Sequence, residues 1–411
     1  MRFNYLVLYL LLTLFNSGDL QAQTGKLLEI GRVDTLTSRI LGETRELWIY
    51  VPPGLEPSYA PRKYPVLYLL DAEMHFTAVV GLVQQLSMVN GNDLCPPMIV
   101  VGIPNTYKTR TRDLTPTTSR QTYNGQIDRM PVSSGGGTQF LEFLQQEVIP
   151  HVEGHYPALH YRLLVGHSFG GLTVLNAMAT KPNLFQANVA LDPSTWWDKN
   201  IIVNKLGVAL KQPTPGRKLY VALANTLPAG RDTVRLRQDT SRVMGAMRAN
   251  FLLVDKLRQA NAPGLQWQWK YYPAETHGSL PLLATHDALR LLFKHPPQPL
   301  PISLTDGSFT LDAVRKYYSE LSVLYGYRVL PPEDMINMYA WGYLQSQQLK
   351  KAGEFFRLNA ANYPESFNAQ ATLGNYFVQV GEKNSAILLL EQALKIQDDP
   401  KTRRQLEQLK K

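Results

Sequence analysis

The chain has 411 residues, 44% of them hydrophobic, and its formal net charge of +9 favours acidic partners such as anionic substrates or anionic cell-surface polymers. The basic residues are dispersed and no DNA- or RNA-binding motif accompanies them, which argues against a nucleic-acid partner. A single cysteine, Cys95, excludes an intrachain disulfide, so stability has to come from apolar cores, and the length suffices for one large domain and a small one.

The N-terminus carries Arg2, an apolar block over 5–15 and a polar stretch that leads to Ala22. This pattern predicts a secretory signal peptide over 1–22, because the apolar block is too short for a membrane span. The expectation is export to the periplasm or the medium with no stable membrane insertion. No cysteine follows the block, so a lipid anchor is not expected.

Next come Leu28-Glu29-Ile30-Gly31-Arg32-Val33 and Glu46-Leu47-Trp48-Ile49-Tyr50-Val51, which read as antiparallel edge strands. Short apolar, β-rich runs then recur at 66–70, 98–103, 163–165, 187–191, 219–224 and 267–272, between helical patterns at 74–89, 138–152, 170–180, 241–260 and 279–293. Such alternation predicts an α/β fold with a mostly parallel central sheet covered by helices on both faces.

Gly166-His167-Ser168-Phe169-Gly170 lies between the strand-like Leu163-Leu164-Val165 and a helical stretch. That setting is a nucleophile elbow: a tight strand-to-helix turn that holds a serine hydroxyl proud of the sheet, with glycines giving the turn room. The base should follow in the chain, and His277, in a loop after the last strand-like run, should emerge on the same edge of the sheet as Ser168. For the acid we favour Asp232, in the loop after 219–224, with Asp239 and then Asp192 as alternatives, or a serine–histidine dyad without one. Two backbone amides are needed for a developing oxyanion; Phe169 supplies one and Ala72 or Glu73, after the strand 66–70, the other.

Two further clusters bear on chemistry. Lys108-Thr109-Arg110-Thr111-Arg112-Asp113 falls in the loop after 98–103, where its arginines either steer an anionic substrate or brace the loop. His151, Glu153 and His155 have a spacing that matches none of the zinc protease patterns, and we expect neither a metal nor another cofactor.

After Phe293 the stretch His295-Pro296-Pro297-Gln298-Pro299-Leu300-Pro301 is too proline-dense for a helix or central strand, and we read 295–331 as a boundary and linker helix after a domain over 23–294. From 332 to 411 the pattern is helical and repeats every 34 residues: Ala340 with Gly374, Tyr343 with Phe377, Ala352 with Ala386, Phe356 with Leu390. This period resembles tetratricopeptide repeats, which implies either a protein-binding surface or a helical layer packed on the main domain.

Taken in order, Tyr64-Pro65-Val66-Leu67-Tyr68-Leu69-Leu70-Asp71, Arg110 to Pro116, Glu147-Val148-Ile149-Pro150, the elbow, and Asp192-Pro193-Ser194-Thr195-Trp196-Trp197 resemble the esterase D family of α/β-hydrolases. That branch includes siderophore esterases, feruloyl and acetylxylan esterases, S-formylglutathione hydrolase and the mycobacterial mycolyltransferases. The resemblance spans about residues 28 to 294 and implies Ser168 as nucleophile and His277 as base; Arg110, Arg112 and Trp196 are the candidates for the substrate side. The chain departs from many relatives at Asp71-Ala72, where they carry Asp-Gly, and at Asn225-Thr226, near which they carry a Glu.

The expected activity is that of a serine carboxylic-ester hydrolase acting through an acyl-enzyme. Its substrate would be a small-molecule or polymer-linked ester: a siderophore lactone, or a hydroxycinnamoyl or acetyl sugar ester. The alternatives are an acyltransferase of the mycolyltransferase type, or a non-catalytic scaffold that binds a protein through the repeats.

Overall fold

The parallel strands read as continuous apolar runs because both of their faces are covered. Tyr64–Leu70 (β3), Ile99–Ile103 (β4) and Ala187–Leu191 (β6) are buried at every position. The computed structural model describes residues 28–411 apart from 55–56, 124–125, 129–132, 214, 228–232, 235, 237, 297–299 and 301–308. The signal segment expected over 1–22 lies outside the described residues, as does Asp232.

The remaining strands are Arg32–Ser38 (β1), Glu43–Tyr50 (β2), Ala158–His167 (β5), Arg217–Ala224 (β7) and Leu265–Tyr272 (β8). They form one eight-stranded sheet in the order β1-β2-β4-β3-β5-β6-β7-β8, with β1 and β2 antiparallel and the rest parallel. The first strand begins four residues later than the sequence suggests. The hairpin closes through the Gly42 amide on the Ser38 carbonyl (3.1 Å), with Gly42 at φ 68°, and this turn sets the register that pairs Ser38 with Glu43.

Alternation along each strand divides the core in two. Val66, Tyr68 and Leu70 face one apolar cluster, closed by Gly137–Phe143, Phe169–Thr180, Trp197–Ala209 and Gly245–Ala260. Leu67 and Leu69 face the other, closed by Ala72–Ser87, Leu280–Leu292 and Leu311–Tyr325. In chain order the helices are α1 (Ala72–Ser87), α2 (Tyr107–Leu114), α3 (Gly137–Phe143), α4 (Ile149–His155), α5 (Phe169–Thr180), α6 (Trp197–Ala209), α7 (Gly245–Ala260), α8 (Leu280–Leu292) and α9 (Leu311–Tyr325). A π-helical stretch, Leu144–Val148, joins α3 to α4 where one helix was expected. Helices α2 and α6 were not expected. The first is only eight residues long, and the second starts with Asp198, Lys199 and Asn200 at positive φ, which hides its periodicity.

From β3 the chain moves outward to β4 and then returns across β3 to β5. The loops after β3 and β5 therefore leave the sheet side by side and in opposite senses, opening a crevice at the carboxyl ends of the strands.

The C-terminal region is all-helical: α10 (Glu333–Gln345), α11 (Leu349–Asn362), α12 (Phe367–Gln379), α13 (Lys383–Ile396) and α14 (Pro400–Lys410). The hairpin α10–α11 recurs as α12–α13 at an offset of 34 at both ends of each helix. Small residues permit the close approach: a Cβ at Gly374 would lie 2.9 Å from Leu390 Cδ2, and Ala352 and Ala386 are fully buried. Residues Gly31–Lys411 form one compact unit. Lys218 of β7 donates to the Leu292 carbonyl (2.9 Å) and the Leu324 carbonyl (2.5 Å), which places a cation at the carboxyl ends of α8 and α9.

Buried Glu333, at the start of α10, accepts from the Ala60 amide (2.9 Å), the Ser366 hydroxyl and Asn368 Nδ2 (3.3 Å), so one carboxylate ties two helical hairpins to the loop before β3. Glu333→Ala leaves those donors without an acceptor and should cost about 2 kcal/mol of stability. Urea titration checks this, and an unchanged midpoint would show that the carboxylate does not hold the layers together.

Candidate active site

At the end of β5 the chain turns sharply into α5, and Ser168 sits in that turn at φ 58°, ψ −115°. Such a conformation costs a non-glycine residue on the order of 1–3 kcal/mol, and here it is held by backbone bonds. The Ser168 amide donates to the Leu191 carbonyl (2.9 Å), and its carbonyl accepts from the Leu172 amide (3.0 Å) and the Ser194 amide (3.0 Å). Gly166 is obligatory, because a Cβ there would lie 2.3 Å from the Gly170 carbonyl carbon. Gly171 is the tighter of the two later glycines, with a would-be Cβ 3.0 Å from Pro193, whereas at Gly170 the nearest atom is an ordinary 3.4 Å away.

His277 stands where the sequence suggests, in the loop between β8 and α8. Its Nδ1 lies 2.6 Å from Asp192 Oδ2. Asp192 closes β6, next to the elbow strand, and is buried; its other oxygen, Oδ1, accepts from the Ala224 amide (3.2 Å) and Asn250 Nδ2 (3.1 Å). The carboxylate that faces His277 is thus the third choice of the sequence reading. The favoured Asp232 lies outside the described residues, and Asp239 accepts from the Ser241 amide in its own loop (2.8 Å). The loop after β7 instead sends Asn225 to the His277 loop: its amide donates to the Glu275 carbonyl (2.8 Å) and its side chain to the Pro273 carbonyl (2.9 Å).

Ser168, Asp192 and His277 line one cavity of about 610 Å³, walled by Phe169, Trp196, Trp197, Tyr123 and Met247. Ser168 Oγ lies 3.2 Å from Ser194 Oγ, and among the described residues no hydrogen bond joins it to His277. The amides of Phe169 and Ala72 belong to the first residues of α5 and α1, so neither has an acceptor within its helix. The two turns are neighbours: a Cβ on Gly170 would sit 3.5 Å from Asp71 Oδ2.

The Esterase family profile matches residues 38–241. Among solved structures, an IroE-like serine hydrolase from Shewanella oneidensis is 31% identical, covers 80% of this chain and 99% of its own, and superposes with a TM-score of 0.65. The chain belongs to the esterase family. It is also similar to the ferri-bacillibactin esterase BesA of Bacillus subtilis, at 32% identity over 182 residues, or 42% of this chain and 61% of that one. The siderophore triacetylfusarinine C esterase of Aspergillus fumigatus is 30% identical over 148 residues, 34% of this chain and 48% of that one. The chain therefore spans about half to three fifths of the length of these curated relatives.

The two arginines assigned to the substrate side are braces in this structure. Arg110 clamps Asp71 through Nε (2.9 Å) and Nη2 (2.9 Å), and its guanidinium lies 5.4 Å from the Phe169 ring. Arg112 holds Glu43 and Asp113, and Asp113 also holds Arg45 (2.6 Å). Buried carboxylates at Asp71 and Asp113 need cations, which is why arginine recurs in α2. Trp196 does line the cavity, packed against Phe169 and Trp197. Arg120, from the segment between α2 and α3, also lines it; nothing in its local sequence marks it out. His151 and His155 pair with Asp34 and the His151 carbonyl, and Glu153 turns away to Arg162. Buried Cys95 has its thiol pushed up to about 12, as suits a packing residue.

His167, between Gly166 and Ser168, carries no functional signal in the sequence. The residue is 9% exposed, and its ring centroid lies 4.3 Å from that of His277. Burial, then the neighbouring His277, His75 and Arg110, push its imidazole down to about 3. The folded protein therefore binds fewer protons here than the unfolded chain, whose histidine titrates near 6.5. Stability from this group is complete above pH ~6.5 and falls as pH drops toward 3, by up to about 1.4 kcal/mol per unit. His167→Phe should flatten the decline of the urea midpoint between pH 6.5 and 4, and an unaltered slope would contradict the assignment.

Proposed function

We propose that the protein is a serine carboxylic-ester hydrolase whose triad is Ser168, His277 and Asp192. The observation that carries this reading is the 2.6 Å bond from buried Asp192 to His277, on the cavity into which the strained Ser168 turn also opens. Asp192 fixes the ring with its proton on Nδ1, leaving Nε2 free to act as base. The reaction requires the Ser168 side chain to turn from Ser194, 3.2 Å away, toward that nitrogen. His277 takes the proton as Oγ attacks the ester carbonyl, and Asp192 stabilises the imidazolium. The amides of Phe169 and Ala72 receive the oxyanion. His277 then gives its proton to the leaving alcohol, and a water, deprotonated by the same nitrogen, releases the acid.

Siderophore lactones fit this site best. Two relatives are named as siderophore esterases, and the cavity offers Trp196, Trp197, Phe169 and Tyr123 to flat acyl groups. We read the N-terminal segment as an export signal, so the reaction would take place in the periplasm or outside the cell. The 34-residue offset between hairpins supports reading 332–411 as tetratricopeptide-like repeats.

Liquid chromatography with mass spectrometry on a panel of a nitrophenyl ester, a feruloyl sugar, an acetylated xylo-oligosaccharide and a catecholate trilactone tests the reading. The trilactone should be opened fastest, with free acid rather than a transfer product even when an alcohol is present. Ser168→Ala should abolish turnover with the circular dichroism spectrum intact, and Asp192→Asn should lower kcat by about 10³–10⁴. Asp232→Asn should change it less than twofold; a loss there with Asp192→Asn active would return the acid to the β7 loop.

A further inference from the structure

The catalytic cavity continues past Trp196. A second cavity of about 520 Å³ adjoins it, and Gln121, Tyr123 and Trp196 line both. Its chemistry is different. Among the described residues three cations line it: Lys199 from the start of α6, Arg242 from the single turn before α7, and Arg248 from α7. They stand against one carboxylate, Asp255, which lies 3.7 Å from Arg258, a residue outside the lining. Arg248 Nη1 donates to the carbonyls of Asp239 and Ser241, so its position is fixed by neutral partners that leave its charge uncompensated. Lys199 and Arg242 are exposed, and among the described residues neither Lys199 Nζ nor the Arg242 guanidinium is taken up by a hydrogen bond or an ion pair.

The backbone is strained where it presents these groups. Asp198, Lys199 and Asn200 follow one another at φ 45°, 57° and 62°, in the left-handed region that residues with a side chain rarely adopt. The Lys199 amide donates to Gln121 Oε1 (3.2 Å), which ties the turn to the wall shared by the two cavities. Strain of this kind persists only where the surroundings hold it, and it collects at functional sites. The positive charge of the chain favours an anionic substrate, yet Arg110 and Arg112 are occupied by Asp71 and Glu43. Lys199, Arg242 and Arg248 are the cations that remain to meet one. A guanidinium matches a carboxylate through paired N–H donors. Because Trp196 and Tyr123 wall both cavities, an acyl group lying along them from Ser168 carries its far end to these cations.

We propose that the second cavity is the distal acyl subsite of the same active site, and that it selects esters whose acyl part ends in a carboxylate. This inference rests on the esterase reading of Ser168 and deepens it by naming the charge the substrate carries.

Steady-state kinetics on the 4-nitrophenyl monoesters of adipic, suberic and sebacic acids, each beside its methyl-capped diester, tests the subsite. For at least one chain length kcat/KM should be at least tenfold higher for the free acid, mainly through KM, and the preference should shrink in high salt. Lys199→Gln combined with Arg242→Gln should bring the ratio of acid to capped ester to within twofold of one. Arg248 is left in place because it also ties down the loop before α7. Arg290→Gln combined with Lys294→Gln removes the same charge from exposed positions at the end of α8 and should keep the ratio, with circular dichroism confirming that both double variants are folded. Equal kcat/KM for acid and capped ester at every length, or a preference that survives the first double variant or is lost equally in the second, would overturn the subsite and leave the esterase standing. No Ser168-dependent hydrolysis of any of these esters would overturn the esterase reading and the subsite with it.

Discussion

A side chain at position 166 would bring its Cβ to 2.3 Å from the Gly170 carbonyl carbon, and the geometry of the site depends on that contact being left free. Only with glycine there can β5 end and α5 begin within one residue, and only then does Ser168 adopt φ 58° with its side chain over the strand ends. The strain is spread over a rigid frame: the Ser168 amide and carbonyl are bonded to β6 and its following loop, and the helix behind it is buried along most of its length. A turn of this kind is unstable alone. It persists because the sheet on either side of β5 over-determines it.

Electrostatics organises the ground around that turn. Asp71, buried and at φ 54°, is the residue before α1 and its Ala72 amide, and the Arg110 fork holds it from the other side. Asp113, Arg45, Arg112 and Glu43 extend the same device to the antiparallel edge. Such buried pairs add little net stability against an apolar alternative, but breaking one leaves an uncompensated charge, so they fix loop positions firmly. Asp192 follows the same logic with different partners. Two neutral N–H donors hold one oxygen and leave the other for His277.

The sheet and elbow were legible because their signals are local: apolar runs of strand length, glycines at fixed offsets, and a histidine loop after the last strand. The acid was not, because which strand end faces His277 depends on how the β7 and β8 loops pack. Asn225, occupying the expected place with an amide, gave the only hint that the carboxylate lay elsewhere. Arginines near a site read equally as ligands or braces until their carboxylate partners, 39 and 69 residues away in the chain, are seen. His167 carried no signal, since a residue between glycine and serine is formally free, and its burial between His75 and His277 arises from tertiary packing.

The account stands or falls on Ser168 being activated by His277 as Asp192 holds it. Intact-protein mass spectrometry after exposure to a fluorophosphonate, followed by peptide mapping, measures that activation without any assumption about the natural substrate. A single adduct on Ser168, formed at least a hundredfold more slowly in His277→Ala, is the predicted result. A protein that takes no adduct, or takes it equally fast without His277, would contradict it.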